Sequence, residues 1–143
     1  GGSGVLGPGS AGTGPPAMTA AGEIRPLKVT AALELGAGLP LLVAPALAGG
    51  LLQIPDSPEN RVLAMLFGAA ICALGALAWL AASAEPGTRG RAGWVFAGYH
   101  VAAALILVYG LGSNALAGIL ASGAALAHLI LAGVLARALT AGR

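Results

Sequence analysis

The chain of 143 residues is 57% hydrophobic and only 8% charged. A water-soluble domain carries about 25% charged residues, so this composition cannot cover a compact surface facing water, and the long apolar runs point to membrane spans. A net charge of +2, scattered along the chain, argues against a nucleic-acid surface, and a single cysteine, Cys72, excludes both an intramolecular disulfide framework and a cysteine-cluster zinc site.

Residues 1–17, GGSGVLGPGSAGTGPPA, are rich in Gly, Pro and Ser without apolar periodicity, as in a flexible linker. They read as a tag or linker remnant ahead of Met18, the alternative being a natural disordered tail, and residues 1–26 are expected to form a flexible N-terminal segment. Four apolar segments follow, at about 27–52, 62–83, 93–111 and 115–136, each close to the ~20 residues that cross a bilayer. QIPDSPEN, EPGTRGR and GSN separate them, and residues 138–143 form a short tail. Ala, Leu and Gly dominate and no two-residue alternation runs through the segments, which argues against a membrane β-barrel. The expected fold is an all-α integral membrane protein, a four-transmembrane-helix up-down bundle with short connections over 27–137.

Within the first segment, Lys28, the apolar run and Ala46-Leu47-Ala48 resemble a signal peptide with its cleavage site. Glu34 interrupts that apolar run and favours a retained span. Pro40 and Pro45 are each expected to kink the helix, since each removes a backbone donor and crowds the preceding turn. The carbonyls freed near Ala37 and Leu41 then need partners or line a cavity.

Orientation follows from the basic residues. Arg25, Lys28, Arg89, Arg91, Arg137 and Arg143 fall on one side of a four-span stack, while the other side has only Arg61, with Asp56 and Glu59 near it. Both termini are therefore expected in the cytoplasm, with Trp79 and Trp94 as interfacial anchors. Abundant Ala, Gly and Pro associate the chain with a bacterial cytoplasmic membrane.

Membrane helices pack through small residues that let backbones approach. Helical spacing aligns Thr30, Glu34, Gly38 and Leu41 in the first span, Gly68, Cys72, Gly75 and Ala76 in the second, Gly93, Ala97, His100 and Ala104 in the third, and Ala121, Ala124, Ala125, His128 and Ala132 in the fourth. These faces are expected to turn inward, and the polar residues with them. Glu34 lies six residues beyond Lys28, His100 nine beyond Arg91 and His128 nine before Arg137. At a rise of about 1.5 Å per residue, all three sit ~9–14 Å from the cytoplasmic flank, at one level within a turn. The short connection near Gly112–Asn114 makes spans three and four neighbours and supports the pairing of the histidines. An ionised carboxylate at that depth is costly, so Glu34 is expected to be protonated or paired.

Three readings fit these residues. Glu34, His100 and His128 can form a proton or ion site, supported by Thr30, Cys72 and Tyr99, in which a carboxylate gives up protons to bind a cation and regains them to release it. This layout, a carboxylate in the first of four short spans, is similar to that of the small multidrug-resistance transporters, which implies proton-coupled transport by an oligomer. Their aromatic-rich cavity has no counterpart here, because Phe, Trp and Tyr contribute two residues each. The second reading is an accessory or anchor subunit of a membrane complex holding a cofactor: haem b between His100 and His128, or a transition metal on His100, His128 and Glu34. The third is a structural scaffold in which these groups only join helices. The partners expected are the lipid bilayer and further copies or a larger membrane complex, with no nucleic acid. Nothing resembles a soluble catalytic domain, and the glycines of LELGAGLP lie inside a span rather than in a phosphate-binding loop.

Overall fold

Where most of the helices begin is set by proline. A computed structural model of the chain describes residues 21–113 and 115–141, with side chains from residue 25 onward. The described residues form five helices: α1 (Ala21–Val43), α2 (Pro45–Leu51), α3 (Pro58–Ala82), α4 (Pro86–Gly112) and α5 (Ile119–Ala141). Helices α1, α3, α4 and α5 are long and apolar enough to cross a membrane, and no strand occurs among the described residues. The stretch 1–17 and Arg143 lie outside them.

Helices α2, α3 and α4 each begin on a proline. At the first helical position the fixed φ is already suitable, and the missing N–H is one the helix would leave unbonded anyway. At α3 the Ser57 side chain adds a cap by accepting from the Asn60 N–H at 3.2 Å. Pro86 has a consequence that the composition of EPGTRGR conceals. It starts α4 seven residues before Gly93, so Arg89 and Arg91 lie inside the helix and the expected basic loop shrinks to Ser83–Glu85. Arg89 is buried there and its Nη2 donates to the Ala84 carbonyl at 2.7 Å. Helix α1 likewise takes in residues 21–26 of the expected flexible segment, and α5 takes in 138–141 of the expected tail.

The first apolar segment is two helices. Pro40 lies inside α1 without ending it, whereas Ala44, at φ −140° and ψ 58°, separates α1 from α2. Ala44 precedes Pro45, whose ring disfavours helical geometry in the residue before it. Its N–H still donates to the Pro40 carbonyl and its carbonyl accepts from the Ala48 N–H. The bond lost is the one a residue with an N–H at 45 would make to the Leu41 carbonyl.

The long helices form two close pairs. A side chain on Gly68 would meet the Leu42 nitrogen at 2.6 Å and the Gly38 carbonyl at 2.7 Å, and one on Gly75 would meet the Ala31 carbonyl at 3.1 Å. These contacts climb α1 while descending α3. In the second pair, Gly93 lies against Leu139 and Gly110 against Leu116, so α4 and α5 also run in opposite directions. Lys28 Nζ sits 5.5 Å from the Trp79 ring centroid at the end of the first pair, a cation–π contact.

The pairs join at one end and part at the other. Leu27 and Ala31 of α1, Ala78 and Ala82 of α3, Phe96 and Ala97 of α4, and Leu135 of α5 form a common core. Toward the opposite end the pairs diverge around an apolar cleft of about 600 Å³, bounded by α2, Phe67, Ile71, Leu107 and Leu116. Large apolar side chains such as Leu66, Leu105, Leu126 and Ile130 face outward, as helix surfaces in contact with lipid do.

The inward faces follow the spacing with one exception. Thr30, Glu34, Gly38, Gly68, Gly75, Gly93, Ala97, His100, Ala104, Ala121, Ala125 and Ala132 are buried, and Leu41, Cys72, Ala124 and His128 are partly so. Ala76 is exposed instead. Eight residues after Gly68, it lies about 80° round the helix from it, on the far side of Cys72 from Gly75. The buried row of α3 continues through Ala78 and Ala82.

Candidate intramembrane site

The site lies where the two pairs begin to part. Thr30 and Glu34 are four residues apart and share one face of α1. Tyr99 and His100 are consecutive on α4 and diverge by about 100° round its axis, so each reaches a different partner. The Tyr99 hydroxyl donates to Glu34 Oε2 at 3.0 Å. His100 makes two contacts, Nε2 with Thr30 Oγ1 at 3.1 Å and Nδ1 with His128 Nδ1 at 2.7 Å. Three helices are thereby joined through side-chain hydrogen bonds.

The Nδ1···Nδ1 contact constrains the protons. A hydrogen bond between two imidazole nitrogens needs a proton on one and a lone pair on the other. If His100 Nδ1–H donates, its Nε2 accepts from the Thr30 hydroxyl. If His128 Nδ1–H donates, His100 carries its proton on Nε2 and donates to Thr30 Oγ1. The two arrangements differ in the tautomer of both rings, so exchanging one for the other reverses the Thr30 bond as well.

Glu34 Oε1 lies 3.9 Å from His100 Nδ1, too far for a hydrogen bond and near enough for an ion pair when the imidazole is charged. Glu34 is 4% and His100 0% exposed, so neither can rely on water. The Tyr99 ring packs on both imidazoles, with centroids 5.1 Å from His100 and 5.8 Å from His128. Phe96 stands edge-on to Tyr99 at 6.4 Å. Tyr99 and His128 also line the inner end of the cleft, whose outer end is bounded by Asp56, Asn60 and Arg61.

Five of the six residues singled out from the sequence are therefore in one cluster: Glu34, His100, His128, Thr30 and Tyr99. Cys72 stands apart from this cluster; its Sγ lies at the α1–α3 crossing, against Gly38. Depth and helical face located the cluster, but the cleft has no signature in the sequence because four helices and the α2 segment build it together. Buried Arg89 was also missed as an interior residue, since EPGTRGR reads as a loop.

The geometry separates the two cofactor alternatives. Haem ligation needs the imidazoles on opposite faces of a porphyrin. Here the two rings are in direct hydrogen bond, with centroids 5.0 Å apart, which leaves no slot for a macrocycle, so haem does not fit. A single metal ion remains compatible with the donor set, because one ligand atom each from Glu34, His100 and His128 lies within 4.8 Å of the others.

The chain matches no protein-family model, no curated protein and no solved structure.

Proposed function

We propose that this protein is a proton-coupled ion transporter whose exchange site is Glu34, His100 and His128. The observation that carries the reading is the convergence of those three side chains within 4.8 Å, at the inner end of a cleft that leads toward Asp56 and Arg61. Charged and ionisable groups inside a membrane mark ion and proton pathways by default. A cation and protons compete for the same carboxylate and imidazole atoms, so binding one displaces the other. Four spans enclose little pathway of their own, and self-association belongs to the reading.

In this reading the four long helices run up and down through a multi-pass bundle with both termini cytoplasmic. Arg25, Lys28, Arg91 and Arg137 gather at the joined end, and the cleft opens to the other side. Cysteines placed at Pro55 and Thr88, in a Cys72→Ala background, should label from opposite sides of sealed vesicles. Labelling of both from one side removes this topology.

The test of function is proton flux in liposomes containing the purified protein and an internal pH dye. Addition of Na⁺, K⁺, Mn²⁺ or Zn²⁺ to wild-type vesicles should move protons for at least one cation, and Glu34→Gln should abolish the response while the protein stays folded. One observation favours a scaffold instead: the same side chains bond α1 to α4 and α4 to α5. Absence of flux in wild type, with Glu34→Gln altering only thermal stability in detergent, would establish that reading.

A further inference from the structure

We infer that the cluster is a binding site for a divalent transition-metal cation, with Glu34, His100 and His128 as ligands and Thr30 and Tyr99 as the residues that position them. The inference rests on the reading of the cluster as a cation site and names the class of cation it takes.

The argument is one of leftover atoms. His100 has two ring nitrogens; Thr30 holds Nε2, and Nδ1 faces the cluster. Glu34 has two oxygens; Tyr99 holds Oε2, and Oε1 faces the cluster. His128 offers Nδ1 to the same point. Metal-ligating histidines and carboxylates are characteristically fixed by a hydrogen bond to their second polar atom, which sets the tautomer and the orientation of the ligand. Here two of the three candidate ligands have that outer partner already in place, and in both cases the atom left over is the one that converges.

The fit requires a small movement. Ligand bonds of about 2.0–2.1 Å in a tetrahedral site put two nitrogens ~3.3 Å apart. The two Nδ1 atoms are 2.7 Å apart and Oε1 is 3.9 Å from His100 Nδ1, so the nitrogens part slightly and the carboxylate closes in. On binding, the ring that holds its proton on Nδ1 shifts to its Nε2–H tautomer, so both Nδ1 lone pairs face the metal and the two neutral imidazoles release no net proton. His100 Nε2–H then donates to Thr30 Oγ1, one of the two arrangements the contact already permits. Two imidazoles and one carboxylate suit Zn²⁺, Co²⁺ or Fe²⁺, whereas Mg²⁺ and Ca²⁺ take oxygen ligands. Because His128 lines the cleft, the remaining coordination position has a side on which water or an exchanging ligand can reach it.

The experiment is titration of the purified wild-type protein in detergent with Co²⁺, read by its visible absorption and by elemental analysis after gel filtration. One equivalent should produce a band that Zn²⁺ abolishes and a large excess of Mg²⁺ does not. His128→Ala and Glu34→Gln should each lose the band. Tyr99→Phe and Thr30→Val should keep the stoichiometry but weaken binding by about 10–100-fold and shift the band, the size expected for loss of an outer partner. A purely structural role for Tyr99 and Thr30 would lower stability without moving the spectrum. No band in the folded wild-type protein overturns the inference, as does a band that His128→Ala and Glu34→Gln both leave unchanged. If Co²⁺ does not bind while Glu34→Gln still abolishes proton flux, the transporter reading stands and the metal falls. Binding without flux has the opposite meaning.

Discussion

Helices α1 and α3 meet backbone to backbone, whereas α4 and α5 meet through the ends of side chains. In the first pair, Gly38, Gly68 and Gly75 leave no room for a Cβ, because the atoms it would strike include main-chain carbonyls and nitrogens that cannot turn aside. In the second, the nearest atoms to Gly93 belong to the Leu139 side chain of α5, and those to Gly110 belong to the Leu116 side chain just before α5, and side chains can turn aside. Without a hydrophobic driving force in lipid, the first arrangement gains dispersion contacts and rigidity. The second leaves freedom for polar groups, and two of the three candidate ligands, His100 and His128, belong to that second pair. The molecule thus combines a tightly fitted pair, which holds Glu34 and Thr30 in place, with a more adaptable one.

The largest effect that can break this comparison comes from Gly68→Ala. The new Cβ would lie 2.6 Å from the Leu42 nitrogen, so the helices must part, at a loss of about 1–3 kcal/mol as for other overpacked interiors. Thermal unfolding in detergent should show it, and Gly68→Leu should not fold. Gly93→Ala meets the Leu139 methyl at 2.9 Å and should lose well under ~1 kcal/mol if that methyl rotates away. Equal destabilisation by the two alanines would remove the distinction between the pairs.

His100→Ala comes next and tests the polar joint. It removes the contacts to Thr30 and His128, each worth about 0.6–1.7 kcal/mol in membrane proteins, and leaves a cavity. A loss on the order of 2 kcal/mol is expected. A smaller one in Tyr99→Phe, about 0.6 kcal/mol, should follow from its single bond to Glu34. Stability unchanged in both would mean that the cluster joins nothing.

The smallest effect lies in the exposed connection between α2 and α3, at the cleft mouth. Arg61 holds the Asp56 carboxyl below its usual range, first through its hydrogen bond, 2.6 Å from Nε to Oδ1, and then through its charge. A lowered value in the folded state means that this contribution is present above the ordinary carboxylate range and fades as the pH falls through it toward the folded value. Both side chains are about half exposed, so the effect is slight. The stability difference between wild type and Asp56→Asn should be present at neutral pH and vanish as the pH falls through the lowered range of the folded carboxyl. A difference that persists in acid would assign Asp56 some other role.

How much of this was legible beforehand differs by element. The four long helices were, because roughly twenty apolar residues in a row leave a chain in lipid only the helix as a way to satisfy its own backbone. Their ends were less so. Arg89 and Arg91 sit in α4 because Pro86 can start a helix, a local backbone effect that outweighs the loop-like look of EPGTRGR. The first segment is divided at Ala44 and runs on through Pro40, although the two prolines look alike in the sequence.

By itself, then, the sequence determined four segments long and apolar enough to cross a membrane, the helical class and the common level of Glu34, His100 and His128, since length, apolarity and a fixed rise per residue are properties of each segment alone. Tertiary structure decided the rest. Which imidazole nitrogen faces which partner, that Tyr99 takes one oxygen of Glu34 and leaves the other, that Cys72 goes to a helix crossing, and that a cleft opens beside the site all depend on how the helices rotate and separate. Those quantities come from packing between segments distant along the chain, and spacing within one segment carries no information about them.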